Sequence, residues 1–391
     1  MCATVNEWNV AVSLPGRRVR LQRVRILVVN VGSSSLKLSV IDDGDRLVCN
    51  EDIDGADGAD TDAAIRRLIA THGPVDAVGH RIVHGGRDFT GPVLLDRENL
   101  ARIRALTDLA PLHQPKSLYG VDVVARALPD IAAVACFDTA FHAHMPDAAA
   151  TYALPAEWRT RWAVRRYGFH GLSHAWASTR VASLLHTPRE ELRIVTCHLG
   201  AGASLCAVLH GRSVDTTMGF TPLDGLVMAT RSGSVDPGLV LWLQEHEHLS
   251  AHELSETLEE RSGILGLGGT ADMRELVERA SRGDESAALA LDVYVHRLRA
   301  GIAAMAAAMQ GVDVLVFTGG VGEGSAGVRG RACAGLAFLG VRLDDARDHG
   351  AHADLDIGAN GAAVRTFVIT AREDLEIAAQ VRSVLAAISS R

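Results

Sequence analysis

The chain has 391 residues, of which 48% are hydrophobic, and a formal net charge of −8. This length predicts two or three domains with a sizeable core. The negative charge without a basic stripe argues against a nucleic-acid-binding protein, and the apolar runs fall short of the roughly 20 residues needed to span a membrane. Six cysteines without a C-x-x-C pair indicate reduced thiols and predict a cytoplasmic location.

The first 23 residues differ in character from the rest of the chain. Their arginines follow the apolar part, whereas the basic residues of a signal peptide precede it. We therefore expect residues 1–23 to be a disordered extension, or to result from the choice of start codon, with the folded protein beginning near Val24.

The first folded segment, Ile26–Ile41, reads ILVVNVGSSSLKLSVI and predicts two strands joined by a turn. The turn holds Gly32 and three serines, and Lys37 follows it. Exposed backbone N–H groups and hydroxyls at such a turn can cradle an anion. A solvated hairpin loop is the alternative for this turn taken alone.

Mixed helix and strand patterns follow in chain order. Helices are predicted at 62–73, 95–107 and 115–129, and strands at 75–83 and 131–141. We assign residues 24–150 to an N-terminal lobe, which is joined to the second half by a connection at 145–155.

The first hairpin recurs 168 residues later, as IVTCHLGAGASLCAVL at Ile194–Leu209. Such a repeat predicts a duplicated fold with a matching turn in each half. The second half then predicts a long helix (Ser286–Gln310), a strand running into a glycine turn (312–320), a strand (365–370) and a closing helix (Asp374–Ser390). We assign 151–374 to a C-terminal lobe and expect the helix at about 375–391 to pack back on the first lobe.

The chain lacks the G-x-x-x-x-G-K-[ST] pattern of a Walker-type phosphate loop. Three strand-to-glycine turns in a duplicated α/β chain instead resemble the actin, Hsp70 and hexokinase superfamily, which has a ribonuclease H-like fold. This resemblance implies two lobes around a nucleotide cleft.

Longer motifs in the sequence point to one family within this superfamily. NVGSSSLK, GHRIVHGG, FDTAFH, YGFHGLSH, CHLGAGAS, MGFTPLDGLVMATRSGSVDP and FTGGVGEGS occur in order from about Val24 onward. Together they are similar to the acetate kinase family, which includes propionate and butyrate kinases. The resemblance implies reversible transfer of the ATP γ-phosphoryl group to acetate, with Mg²⁺ or Mn²⁺, in a homodimer.

The resemblance also implies roles for individual residues. Catalysis would fall to Asp138, His170 and Arg231, with Arg81 orienting the carboxylate and Asn30 and Glu373 linked to the metal. The pocket for the alkyl group of the substrate would be lined by four residues: Val83, Leu112, Phe169 and Pro222. The nucleotide would contact residues of four segments: Lys37; His198, Leu199, Gly200, Ala201 and Gly202; Asp272, Met273 and Arg274; and Gly320, Val321, Gly322, Glu323 and Gly324.

Three positions depart from the family pattern: Ala201 and Gly324 replace usual asparagines, and Asp374 replaces a usual glutamate. Because backbone N–H groups survive these changes, we expect weaker nucleotide binding or altered metal dependence rather than loss of activity. Alternatives remain open: a propionate or butyrate kinase, a pyrophosphate-using variant, or a nucleotide-dependent switch of the same fold. Glu373 could also serve only as a favourable charge at a helix N-terminus.

Overall fold

The computed structural model describes residues 24–31, 35–54, 58–351 and 354–390. The predicted extension at 1–23 and the turn residues Gly32, Ser33 and Ser34 lie outside the described residues.

The chain divides into two compact units. Among the described residues, unit 1 contains those up to Ala140 together with those from Glu373 onward, and unit 2 contains those between Phe141 and Arg372. The division lies ten residues before the predicted boundary at 150, so the segment 141–150 belongs with unit 2.

Strands and helices alternate along both units. The strands are β1 Ile26–Val31, β2 Ser35–Ile41, β3 Leu47–Asp54, β4 Ala77–Ile82, β5 Val93–Leu94, β6 Ala132–Phe137, β7 Arg193–Leu199, β8 Ala203–Leu209, β9 Arg212–Thr216, β10 Val314–Thr318, β11 Leu355–Asp356 and β12 Arg365–Val368. The helices are α1 Gly58–His72, α2 Arg97–Arg104, α3 Gln114–Ala127, α4 Asp147–Ala150, α5 Ala156–Arg161, α6 Gly171–Leu184, α7 Pro237–His246, α8 Ala251–Glu260, α9 Gly263–Gly268, α10 Met273–Ser281, α11 Glu285–Ala308, α12 Gly319–Gly324, α13 Ala326–Ala334, α14 Asp345–His349 and α15 Glu373–Ser389. Short 3-10 helices lie at Thr107–Leu109, Ala140–His142, Arg189–Glu191 and Ala337–Leu339.

Unit 1 is a sheet of order β3-β2-β1-β4-β6-β5 covered on both faces. Strands β1, β2 and β3 form an antiparallel meander, and β4 and β6 run parallel to β1. Side chains alternate between the faces of a strand. Val78 accordingly packs in the core with Ile65 of α1 and Val123 of α3, whereas the next residue, Gly79, faces Ile377 of α15.

Unit 2 repeats this topology. Its sheet has the order β11-β12-β10-β7-β8-β9, in which β7, β8 and β9 form the meander and β10 and β12 run parallel to β7. Ala177 and Val181 of α6 cover one face with Ile194 and Val314, and α11 covers the other, where Gly301 lies against Leu205. The predicted duplication of an actin-like α/β fold is confirmed by the matching strand order in the two units.

The prediction of a third glycine turn, after the strand that ends near Thr318, is wrong. Residues Gly319–Gly324 form the short helix α12 instead. Gly319 begins it with φ +78°, which a glycine adopts without steric cost. The Gly319 N–H donates to Glu323 Oε1 at 2.9 Å, so a carboxylate within the same segment satisfies the start of the helix. Over the described ranges, none of the helices is long and apolar enough to cross a membrane.

Candidate active site

Four polar side chains of unit 1 meet where its strands end. Asn30 lies near the end of β1, Arg81 near the end of β4, and Asp138 directly after β6. Because these strands are parallel, their carboxyl ends share one edge of the sheet. Glu373 reaches the same place as the first residue of α15.

Arg81 links the four residues. Its Nη2 donates to Asp138 Oδ2 at 2.6 Å, and its Nε lies 3.1 Å from both Asp138 oxygens. Its Nη1 donates to Asn30 Oδ1 at 3.1 Å, and Asn30 Nδ2 donates to Glu373 Oε2 at 3.2 Å. The Nε of Arg81 also lies 3.9 Å from Glu373 Oε2. We call these four residues the arginine–carboxylate cluster.

The electrostatics of this cluster favour a fixed guanidinium. Burial by itself would lower the pKa of Arg81, but the carboxylates of Asp138 and Glu373 outweigh it and raise that pKa overall. Asp138 is only 1% exposed, and Arg81 places an opposite charge beside this buried carboxylate. The described contacts occupy three of the five N–H bonds of Arg81, which leaves two that can hold a carboxylate.

Other predicted residues of unit 1 differ in their surroundings. Val83 is buried, whereas Leu112 is 49% exposed. Lys37 pairs across the hairpin with Asn30, and its Nζ lies 4.0 Å from Asp52 Oδ2 in an exposed ion pair. The structure therefore brings Lys37 to the strand beside the arginine–carboxylate cluster.

In unit 2, His170 occupies an unusual backbone conformation at the start of α6. Its φ of +56° and ψ of +23° are left-handed values, which are uncommon for a residue with a Cβ. The preceding carbonyl, of buried Phe169, lies 3.0 Å from His142 Nε2, and His170 Nδ1 lies 2.9 Å from Ser204 Oγ. The strained backbone is thus held on both sides, as is common at functional sites.

The turn after β7 lies against His170 and Arg231. A Cβ atom placed on Gly202 would lie 3.3 Å from the His170 ring and 3.4 Å from Arg231 Nη1. The Ala201 carbonyl accepts from the Ala229 N–H at 3.1 Å, which ties this turn to the segment carrying Arg231. Gly202 therefore permits the close approach of a backbone, an imidazole and a guanidinium.

Arg231 is largely buried but only loosely paired. Its Nε lies 3.6 Å from Glu259 Oε2, and its Nη1 donates to the carbonyl of buried Pro222 at 3.2 Å. Burial lowers the pKa of Arg231, and Glu259 opposes that shift. A guanidinium nevertheless stays charged in proteins, so Arg231 supplies a positive charge beside His170.

Two of the predicted nucleotide segments lie side by side. His198 is the penultimate residue of β7, and its Nδ1 lies 2.7 Å from Ser173 Oγ. Its ring lies 4.3 Å from that of His170, between centroids. Leu199 is fully buried, and its carbonyl lies 2.8 Å from a Cβ built on Gly319, which precedes Gly320–Gly324 in α12. Leu199 can therefore offer a ligand only its backbone, whereas Gly320, Gly324 and Ala201 are exposed.

Other residues predicted to contact the nucleotide, in 272–274 and at Glu323, have partners within the protein. Asp272 caps α10 by accepting from the Arg274 N–H at 2.8 Å, and Met273 is buried. Glu323 Oε1 accepts from both Gly319 N and Ala371 N at 2.9 Å and so joins the loops that follow β10 and β12.

Several residues of the site carried no signal in the sequence. Glu259 pairs with Arg231 from 28 residues away, and Ser204 and His142 position His170. Arg329 is buried against α12 and donates to the carbonyls of Gly322 and Glu323. Their roles depend on contacts between distant segments, which no local pattern reveals.

Comparison with known proteins identifies the family. The model of the acetokinase family matches residues 56–379. The chain belongs to the acetokinase family. Among its relatives, an acetate kinase of Nostoc sp. is 47% identical over 315 residues, which are 80% of this chain and 78% of the relative. An acetate kinase of Carboxydothermus hydrogenoformans is 40% identical in an alignment 390 positions long, which covers 91% of this chain and 98% of the relative.

Solved structures agree with this membership. Porphyromonas gingivalis acetate kinase superposes with a TM-score of 0.86 at 35% identity, covering 93% of this chain and all of the other. A propionate kinase from Francisella tularensis gives 0.85 at 34% identity, covering 91% of this chain and 98% of its own. The predicted enzyme class, a kinase that transfers phosphate to a carboxylate with ATP and ADP as co-substrates, is confirmed.

Proposed function

We propose that this protein transfers the γ-phosphoryl group of ATP to acetate by direct in-line transfer, giving acetyl phosphate and ADP. The observation that carries the proposal is the surroundings of two guanidinium groups, Arg81 among carboxylates in unit 1 and Arg231 beside His170 in unit 2. An anion that attacks a triphosphate needs fixed positive charge more than it needs a general base.

Arg81 is proposed to orient the acetate carboxylate. Asp138 holds the guanidinium by a short bidentate pair, so its plane is set before substrate arrives. Its two remaining N–H bonds match the two oxygens of a carboxylate.

Arg231 and His170 are proposed to stabilise the transferring phosphoryl group. In the transition state, negative charge is spread over the three equatorial oxygens of the phosphoryl group. Hydrogen-bond donors that already point at these oxygens lower the energy of the transition state, because they do not have to move as the charge develops. The close approach of both side chains to Gly202 supports the proposal that they act on the same phosphoryl group.

The nucleotide is proposed to bind along Lys37, 198–202, 272–274 and 320–324. Ala201 and Gly324 lack the amide side chain of the usual asparagine, so we expect a higher KM for ATP than in relatives with asparagine there.

We propose that a divalent cation binds beside Asn30 and Glu373 of the arginine–carboxylate cluster. Mg²⁺ prefers a few carboxylate oxygens together with water and phosphate. Glu373 would be its principal ligand, since the Asn30 oxygen already accepts from Arg81. Mg²⁺ or Mn²⁺ would neutralise charge on the β- and γ-phosphates when bound.

A hydroxamate assay with ATP, Mg²⁺ and each of acetate, propionate and butyrate tests the proposal. We expect acetate to be preferred and propionate to be accepted, because one methylene changes binding by only about 1–3 kcal/mol. Arg81→Ala and Arg231→Ala should lose acyl phosphate formation, whereas Arg212→Ala, at an exposed arginine, should retain it. Full activity on butyrate with little on acetate, or active Arg81 and Arg231 variants, would refute the proposal.

We also propose a cytoplasmic homodimer. In α7, Leu239, Leu241 and Trp242 are 49%, 58% and 46% exposed, and the helix has no buried residue. A second copy of the chain could cover this apolar face. Analytical ultracentrifugation should show a dimer for the wild type and a monomer for Leu241→Glu. Leu289 of α11 is equally exposed, so Leu289→Glu is the control that should stay dimeric. A monomeric wild type would contradict the proposal.

A further inference from the structure

A chain of hydrogen bonds leads from His170 into the core of unit 2. His170 Nδ1 lies 2.9 Å from Ser204 Oγ, which lies 2.8 Å from His174 Nε2. His174 Nδ1 in turn lies 2.7 Å from Thr196 Oγ1. Ser204, His174 and Thr196 are all fully buried, so water does not interrupt the chain.

His174 must carry one ring proton. Burial lowers its pKa well below the usual value, and the neighbouring His142 and His198 add to this shift. A neutral imidazole has one N–H and one acceptor nitrogen. If one nitrogen of His174 accepts, the other must donate. The donor and acceptor in every hydrogen bond of the series from His170 to Thr196 are therefore fixed once they are known for the bond between His174 and Thr196.

The inner end is the hydroxyl of Thr196. Its hydrogen has two described acceptors, His174 Nδ1 at 2.7 Å and the Cys206 carbonyl at 3.5 Å. The second distance is at the outer limit of a hydrogen bond. Because an unpaired buried donor is costly, the hydroxyl donates to His174 Nδ1.

The other directions then follow in turn. His174 Nε2–H donates to Ser204 Oγ, and Ser204 Oγ–H donates to His170 Nδ1. We infer that Thr196, His174 and Ser204 are positioning residues that hold neutral His170 in the tautomer with its proton on Nε2. Resting on the proposed function, this means that Nε2–H can donate to the phosphoryl group without His170 becoming an imidazolium.

The other groups around His170 are compatible with a neutral ring. The His198 ring lies 4.3 Å from the His170 ring between centroids, tilted by 33°, and Arg231 Nη1 approaches Gly202 on the same side as the His170 ring. Glu259 is paired with Arg231. A guanidinium so close disfavours a second positive charge on the imidazole.

The opposite direction of the chain makes a different prediction. If Thr196 donated to Cys206, His170 would carry its proton on Nδ1, and Nε2 could donate only from the imidazolium. The value of kcat would then fall in the wild type as pH rises through the titration of His170. With the inferred direction, that titration leaves kcat unchanged.

Nitrogen-15 NMR of the full-length protein labelled at histidine tests the tautomer directly. The His170 signals are identified by their loss in His170→Gln. Above the pH at which His170 titrates, we expect a protonated Nε2 and an unprotonated Nδ1. A protonated Nδ1, or an equal mixture, would overturn the inference. This measurement does not depend on activity, so a protein that forms no acyl phosphate but shows this tautomer would refute only the proposed function.

Ser204→Ala tests the consequence for catalysis. We expect kcat to fall roughly tenfold, with KM values unchanged and a loss that grows as pH rises, because only the imidazolium then donates reliably. Ser204→Cys, with a weak S–H donor, should restore part of kcat. The control Ser178→Ala removes an equally buried hydroxyl that bonds within α6 and should keep the wild-type kcat and pH profile. Wild-type kinetics in Ser204→Ala would overturn the positioning role; if that variant does not fold, the NMR result on the wild type decides.

Discussion

Arg329 is the buried anchor of α12, and Arg329→Met should destabilise unit 2 strongly. Arg329 is 1% exposed. Its Nε donates to Asp348 Oδ1 at 2.6 Å and its Nη2 to the Asp348 carbonyl at 2.8 Å. Its Nη1 donates to the carbonyls of Gly322 and Glu323 at 2.8 and 2.7 Å, which lie at the end of the helix proposed to contact nucleotide.

The magnitude follows from what the substitution leaves behind. Removing one partner of a buried ion pair costs about 3–5 kcal/mol, because the other charge stays buried without compensation. We therefore expect Arg329→Met to lower the free energy of unfolding by about 4 kcal/mol. Adding Asp348→Leu removes the orphaned charge but not the orphaned carbonyls, so the double variant should lose only about 2 kcal/mol.

Urea unfolding followed by tryptophan fluorescence measures these values. Trp158, Trp162, Trp176 and Trp242 lie in unit 2, so four of the five tryptophans report on the unit that contains Arg329. The KM for ATP of the folded single variant should also rise, since α12 loses its anchor. A single variant within 1 kcal/mol of the wild type, or a double variant no more stable than the single, would refute the reasoning.

Three further predictions concern close contacts and buried charge. Gly202→Ala should lower kcat at least tenfold with stability unchanged, since its Cβ would lie 3.3 and 3.4 Å from the flanking imidazole and guanidinium; Gly330→Ala, with no atom within 4 Å, is the control that should keep kcat. Gly79→Ala places a Cβ 2.5 Å from Ile377 Cγ2 and should cost about 1–3 kcal/mol in urea unfolding, with a stability equal to wild type contradicting the tight packing of α15. Burial lowers the pKa of His142 to about 4, so its contribution to stability is complete above the unfolded pKa near 6.5 and is lost as pH falls toward 4. Between pH 7 and 5 the free energy of unfolding should fall by about 2 kcal/mol from this residue, and a flat profile would count against its burial as a neutral ring.

Much of the fold was predictable because its signals are local. The hairpins at Ile26–Ile41 and Ile194–Leu209 are encoded by β-branched runs around small turn residues, and both occur as predicted. The 24-residue helix Glu285–Ala308 was likewise visible from its apolar spacing. The glycine-rich 319–324 segment was predicted as a turn because glycine disfavours helix interiors. Its helix depends on Glu323, which accepts from the Gly319 N–H, and on Arg329, which lies outside the segment and donates to the Gly322 carbonyl.

The amino-acid sequence by itself determined the duplicated α/β architecture, the family and the residue types that the chemistry needs, since strand periodicity and contiguous motifs are properties of neighbouring residues. Only the tertiary structure decided which groups are paired and buried: Arg81 with Asp138, Arg231 with Glu259, and His170 with the buried chain through Ser204. Those pairings join residues 28 to 57 positions apart, and their strength depends on distance and on exclusion of water, which are set when the sheets and helices pack together.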